Sequence, residues 1–144
     1  MNTLRIFDDP PREGVLALLT ANGLPTADIT PDSAARFFAA GTPEAIRGVV
    51  AIEVHGEYGV LRSLAVTADK RGAGIGSRLL AHAEKQAGAV GIGTLYLLTQ
   101  TAATFFARYD YAPADRTRVP AMIAATPEFA DLCPGSATCM SKSL

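Results

Sequence analysis

Apolar positions along the chain alternate between two periods, and the switches mark out the elements. Residues 11–21 carry Val15, Leu16, Leu18 and Leu19 at helical spacing, with Pro11 suited to a first turn, which predicts a helix. Residues 4–7 read as a short strand before it. Residues 31–40, with Phe37 and Phe38, read as a second, shorter helix. Valine and isoleucine then dominate 46–54, and 58–66 follows after His55-Gly56-Glu57, the signal of a hairpin. Over 75–87, Ile75, Leu79, Leu80, Ala83 and Ala87 fall on one stripe. Arg78, His82, Lys85 and Gln86 lie off it, so this is an amphipathic helix. Residues 94–98 predict a strand and 101–109 a helix with Phe105 and Phe106. Residues 120–132 predict helix with a break near Pro127, and 137–143 a weakly alternating closing strand. Elements in this order call for a mixed α/β sheet.

Composition narrows the class. A chain of 144 residues fits one domain, here residues 1–144, and 49% apolar with 19% charged residues excludes disorder. A net charge of −1 gives no reason to expect nucleic acid or an anionic membrane as partner. Two cysteines, Cys133 and Cys139, make no disulfide framework, and no Cys/His cluster has zinc spacing. The first nine residues lack the apolar run of a secretory leader, and no uncharged apolar stretch reaches the roughly 18 residues of a membrane span. A cytoplasmic protein with reduced thiols and no metal is the expectation.

The chemistry concentrates in 61–80, LRSLAVTADKRGAGIGSRLL. A strand ends at Val66, a loop carries Lys70 and Arg71, and glycines 72, 74 and 76 open a helix. Glycines let backbone approach a ligand, and the unpaired N–H groups and dipole of a helix start favour an anion. With Lys70, Arg71 and Arg78 nearby, the reading is a phosphate or pyrophosphate site at 71–77. A P-loop is excluded because Gly76 is followed by Ser77 and not by lysine. A dinucleotide fingerprint is excluded because Ser77 and Leu79 stand where its last glycine or alanine belongs. A glycine-rich loop without a ligand remains the alternative on spacing alone.

Arg71-x-x-Gly74-x-Gly76 after a strand resembles the acetyl-CoA pyrophosphate loop of the GNAT superfamily of acyltransferases. Leu61-Arg62-Ser63-Leu64-Ala65-Val66 looks like that fold's fourth strand. Phe105-Phe106-Ala107-Arg108-Tyr109-Asp110-Tyr111 looks like the helix end after its fifth, so the resemblance covers roughly 45–112. A narrower resemblance lies in Gly23-Leu24-Pro25-Thr26-Ala27-Asp28, in Arg116 to Phe129 with Pro120, Ile123, Thr126 and Glu128, and in Leu132-Cys133-Pro134-Gly135-Ser136-Ala137 with Met140. These look like an arsenic-resistance-associated acetyltransferase family, related to enzymes that N-acetylate arsinothricin and phosphinothricin.

The resemblance implies a GNAT fold with splayed fourth and fifth strands flanked by helices, acetyl-CoA as co-substrate, a small-molecule amine as acceptor and a homodimer through terminal strands. It places backbone of Leu64, Ala65 and Val66 along pantetheine and Arg71, Gly72, Ala73, Gly74, Ile75, Gly76 and Ser77 around the pyrophosphate. Phe105 would flank the coenzyme or serve as plain core. An ammonium acceptor must lose a proton before attack. Glu53, the carboxylate within an apolar strand, is the candidate to organise that loss, with a solvated strand-edge glutamate as the alternative. The usual tyrosine acid position holds Phe106, and Tyr109 one turn on is the substitute. An amino-acid acceptor calls for a guanidinium. Arg62, on the strand next to the acetyl site, is the first candidate to receive the acceptor carboxylate, and regular alternation sets it on one face with Leu64 and Val66; Arg116 and Arg118 would reach a second anionic group such as an arsinate or phosphinate, and Ser63 and Thr99 could bond substrate. Polyamines are disfavoured because the tail offers arginines and no acidic cluster. Glutamate, a protein N-terminus or a catalytically silent acetyl-CoA sensor complete the alternatives. Cys133 and Cys139 suggest packing rather than metalloid ligation.

Overall fold

The computed structural model describes residues 4–30, 34–133 and 135–144. Its elements run β1 (Ile6–Asp8), α1 (Arg12–Ala21), β2 (Ala35–Thr42), β3 (Ala45–His55), β4 (Tyr58–Val66), α2 (Ile75–Ala89), β5 (Thr94–Thr99), α3 (Ala103–Ala107), β6 (Ala112–Pro113), α4 (Ala121–Ala124) and β7 (Thr138–Ser143). The strands form one sheet in the order β1-β2-β3-β4-β5-β7-β6, antiparallel except where β4 meets β5. The α/β mixed sheet expected from the sequence is therefore present, with its first strand slightly displaced and its short helices α3 and α4 trimmed.

The helix expected over 31–40 is corrected. Residues 31–33 lie outside the described residues, and from Ala35 the chain is strand, paired with both β1 and β3. Its side chains alternate: Phe38 and Ala40 enter the core under α2, while Phe37 and Ala39 face α1. That period of two is invisible in a run of apolar residues, and pairing on both edges settles it. The β3–β4 hairpin closes through the two residues Gly56 and Glu57, where Gly56 supplies the positive φ of 68° that such a turn requires.

Two layers sandwich the sheet. On one face α2 buries Ile75, Leu79, Leu80, Ala83 and Ala87 against Val50, Ile52, Leu61 and Leu95. On the other, α1 packs Val15, Leu18 and Leu19 on Ala39, Val49 and Ala65. Further along that second face, Ile123 and Phe129 cover Val60 and Cys139. Leu79 is fully buried at the centre of the first layer. Leu79→Ala should lower the unfolding free energy by about 2–5 kcal/mol through lost transfer energy and a residual cavity. Urea unfolding checks it, as a lower midpoint at unchanged slope.

Candidate acyl-transfer site

The site begins where two parallel strands part. β4 and β5 pair from Tyr58 opposite Thr94 to Val60 opposite Tyr96, and the registered pairing stops there. From Leu61 onward the β5-facing edge of β4 is open. Leu61, Arg62, Ser63 and Leu64 on one side and Leu97 to Ala102 with Phe106 on the other enclose a cavity, capped by Leu24, Pro25, Glu128 and Cys133. An open strand edge presents N–H and C=O groups ready to pair with an extended ligand.

A bulge re-aims β4 inside this cavity. Val49 pairs with Ala65 and Ala51 with Arg62, so Ser63 and Leu64 together face Val50. Ser63 takes the left-handed φ of 60°, rare for a residue with a Cβ. The extra residue resets the alternation, which corrects the expectation that Arg62 shares a face with Leu64 and Val66. Leu64 and Val66 pack toward α2, whereas Arg62 turns to the α1 side with Ala65.

Beside the cavity stands the glycine loop. Gly72 and Gly74 have φ of 84° and 81°, and Gly74 caps α2 in the left-handed conformation with no side chain bonded to the helix start. The N–H groups of Ile75, Gly76 and Ser77 therefore have no helical acceptor. The adjoining hollow is lined by Val66, Lys70, Arg71, Gly72, Gly74, Ile75, Gly76, Ser77, Phe105, Arg108 and Tyr109. Ile75 contributes backbone only, since its side chain is in the core. Arg71 Nη2 donates to Asn22 Oδ1 at 2.5 Å, and Arg108, a cation not singled out in the sequence, stands 5.9 Å from the Phe105 ring centre. The donor set suits a polyanion: free N–H groups, a helix dipole and three cations.

Four chain segments meet in a buried charge cluster that borders the interstrand cavity at Glu128. The Arg62 side chain is fully buried; Nη1 donates to Asp28 Oδ2 and, at 3.0 Å, to Glu53 Oε2, and Nη2 donates to Asp28 Oδ1 at 2.8 Å. Its Nε donates to Ser63 Oγ at 3.2 Å and lies 3.6 Å from Glu128 Oε2. Glu53 Oε1 is 3.2 Å from His55 Nε2. Burial opposes the charge on Arg62, but the hydrogen bonds to Asp28 and Glu53 and the field of Glu128 outweigh it and hold the guanidinium more firmly protonated. Glu128 is the odd member. Burial, with Glu53 and Asp28 close by, pushes its carboxyl up to about 7 despite Arg62. Its Oε1 accepts from Cys133 Sγ at 3.8 Å and its Oε2 has no hydrogen-bond partner. Burial, then the neighbouring Glu128, raises the Cys133 thiol to about 11, so it stays protonated.

Measured against the sequence, the structure gathers some candidates and separates others. Ser63, Leu64 and Thr99 line the interstrand cavity, with Thr99 Oγ1 accepting from the Ala102 amide. Tyr109 stands in the hollow at the glycine loop and not in that cavity, which Phe106 lines. Glu53 is present in the cluster with both oxygens engaged. Arg62 was expected to receive an acceptor carboxylate, but the chain's own carboxylates occupy its fork. Arg116 points inward, donating to the Phe129 and Cys133 carbonyls and holding the wide turn Glu128–Leu132. Arg118 is 86% exposed beside Asp115, away from the cavity lining. The tail offers no acidic cluster of its own, but its Glu128 joins Asp28 and Glu53 around Arg62. Asp28 and Glu128 do not show as a pair in the sequence because 100 positions part them and no local spacing links them. Among the described residues no group of His, Cys, Asp and Glu is arranged to hold a metal ion.

Residues 33–113 match the model of an acetyltransferase (GNAT) domain. N-acetylglutamate synthase from Neisseria gonorrhoeae, complexed with coenzyme A and N-acetyl-glutamate, superposes at TM-score 0.80 with 19% identity, over 100% of this chain and 36% of that one. The chain thus spans about a third of the synthase chains it matches. A GNAT-family acetyltransferase from Staphylococcus aureus matches at 0.74 with 16% identity, over 99% of both chains. An acetyltransferase from Bacillus subtilis in complex with CoA matches at 0.68 with 14% identity, again over 99% of both. No curated protein sequence matches significantly.

Proposed function

This chain belongs to the GNAT acetyltransferase family, and on that premise we propose that it transfers the acetyl group of acetyl-CoA to the amino group of a small acceptor. The observation that carries the reading is the junction of the uncapped, glycine-led start of α2 with the open edge of β4. The pyrophosphate fits the N–H groups of 74–77 with Lys70, Arg71 and Arg108 around it. The pantetheine arm fits the edge at Leu64–Val66, with Phe105 flanking. A backbone N–H there would polarise the thioester carbonyl, as donors fixed in advance stabilise developing charge. Phe106 itself cannot donate a proton, but a thiol of ordinary pKa, about 8.5, lets the thiolate leave near neutral pH without one from that position.

The acceptor side favours a cation. One guanidinium faces Asp28, Glu53 and Glu128, so the cluster carries surplus negative charge whenever all three are ionised. An ammonium in the groove lined by Asp28, Glu53, His55 and Thr126 would lie in this field. Within that frame we favour an amino-acid-like acceptor, including arsenical or phosphinic amino acids. The segments bearing the narrower resemblance supply Leu24, Pro25, Asp28, Thr126, Glu128 and Cys133, all lining the acceptor side. A second reading, a di- or polyamine, gains from the same carboxylates.

Release of CoA from acetyl-CoA, followed with a thiol reagent, tests both. Arsinothricin, phosphinothricin, glutamate and spermidine serve as acceptors. Turnover confined to the first two is the expected result, and turnover confined to spermidine selects the second reading. Acetyl-CoA binding without CoA release from any amine would refute the enzyme and leave a coenzyme sensor.

A further inference from the structure

We infer that Glu128 is the catalytic base that takes the proton from the acceptor's ammonium; this rests on the acetyl-transfer reading above. Glu128 alone among the cluster's carboxylates lines the interstrand cavity, where an acetyl donor lying along β4 would bring its carbonyl. Both Asp28 oxygens accept from Arg62, and the Glu53 oxygens face Arg62 and His55. Glu128 is only 6% exposed, and its Oε2 makes no hydrogen bond, with Arg62 Nε 3.6 Å away as an ion-pair contact. A buried carboxylate oxygen with no hydrogen bond at normal length is costly to keep, and such exceptions in a native fold call for a role. An incoming R–NH3+ supplies one.

The groups facing Glu128 fit the task. Arg62 comes from β4, Glu53 from β3 with His55 behind it, Asp28 from the segment after α1, and Cys133 from the end of its own turn. Arg116 fixes that turn through the Phe129 and Cys133 carbonyls. Asp28 and Glu53 neutralise Arg62 and leave Glu128 in a neutral-to-negative setting. Its carboxyl, raised to about 7, is matched to proton transfer near neutral pH.

The step balances. Glu128 carboxylate takes one N–H proton, giving R–NH2 and the carboxylic acid. The nitrogen lone pair forms the new C–N bond and the C–S bond breaks with its electrons on sulfur. The nitrogen then loses a second proton, which the thiolate takes up, and Glu128 returns its proton to water. The products are R–NH–acetyl, CoA–SH and one H+.

Glu128→Gln keeps the shape and removes the base. The expected result is a fall in kcat of about 10²-fold or more. The wild-type kcat/KM for acceptor rises with pH through about 7, as Glu128 ionises, and the variant should lose this limb. Acetyl-CoA affinity, read by calorimetry, should stay within about twofold. A folded Glu128→Gln with wild-type rate and limb overturns the inference and leaves the acetyl-transfer reading intact. Wild type that releases no CoA with any amine overturns both. If Glu128→Gln does not fold, Glu128→Asp decides: kcat lowered at least about tenfold with the limb kept supports the role, and unchanged kcat refutes it.

Discussion

Arg62→Ala is expected to lower the unfolding free energy by about 3–5 kcal/mol near pH 8, the cost of leaving buried charges without their partner. The side chain is fully buried between Asp28, Glu53 and Glu128, so its removal leaves three carboxyls in the interior without the guanidinium they share. The sign of the pH dependence separates lost charge from lost packing. Without Arg62 the carboxyls of the folded state are harder to ionise than those of the unfolded chain. The folded state then binds more protons than the unfolded one, and protonation below the raised folded values relieves the penalty. The deficit against wild type should therefore shrink between pH 8 and pH 5 in denaturant melts. An equal deficit at both pH values would assign the loss to packing alone. Arg62→Lys keeps the charge but not the planar fork that grips Asp28 through two nitrogens, and should fall between.

Gly74→Val should weaken acetyl-CoA binding at least about tenfold, or roughly 1.4 kcal/mol. Space is not the obstacle: a Cβ at Gly74 would meet only Ser77 Oγ, at 3.9 Å. The obstacle is φ, because at 81° a side chain costs about 1–2 kcal/mol, more for a branched one. The valine relaxes by moving the cap, and the N–H groups of 75–77 turn from the position a pyrophosphate would occupy. Calorimetry with acetyl-CoA and with S-acetylpantetheine, which lacks the phosphates, locates the effect. Only the first should weaken. Equal weakening of both would move the phosphate site elsewhere.

How much of this was legible depended on how local the signal was. The β3–β4 hairpin and α2 declare themselves within a dozen residues, by a two-residue turn and by an apolar stripe. The glycine loop and the helix start it opens were legible because they are contiguous. β2 was not: Ala35–Thr42 becomes a strand through β1 on one edge and β3 on the other, partners that no local period displays. The direction of Arg62 failed for one residue, the bulge at Ser63, which turns every side chain after it to the other face. The charge cluster was beyond a linear reading because Asp28, Glu53, Arg62 and Glu128 come from four separate segments. That same cluster adds carboxylates the tail alone does not show, and it turns the arginine expected to hold an acceptor's carboxylate to the chain's own.

A crystal structure with coenzyme A bound tests the central claim most directly. The pyrophosphate should lie on the N–H groups at the start of α2, beside Lys70, Arg71 and Arg108. The pantetheine should pair with β4 at Leu64–Val66, and the sulfur should sit in the cavity shared by Phe106 and Glu128. Coenzyme bound away from Gly72–Ser77, or with its sulfur outside the gap between β4 and β5, would contradict the site described above.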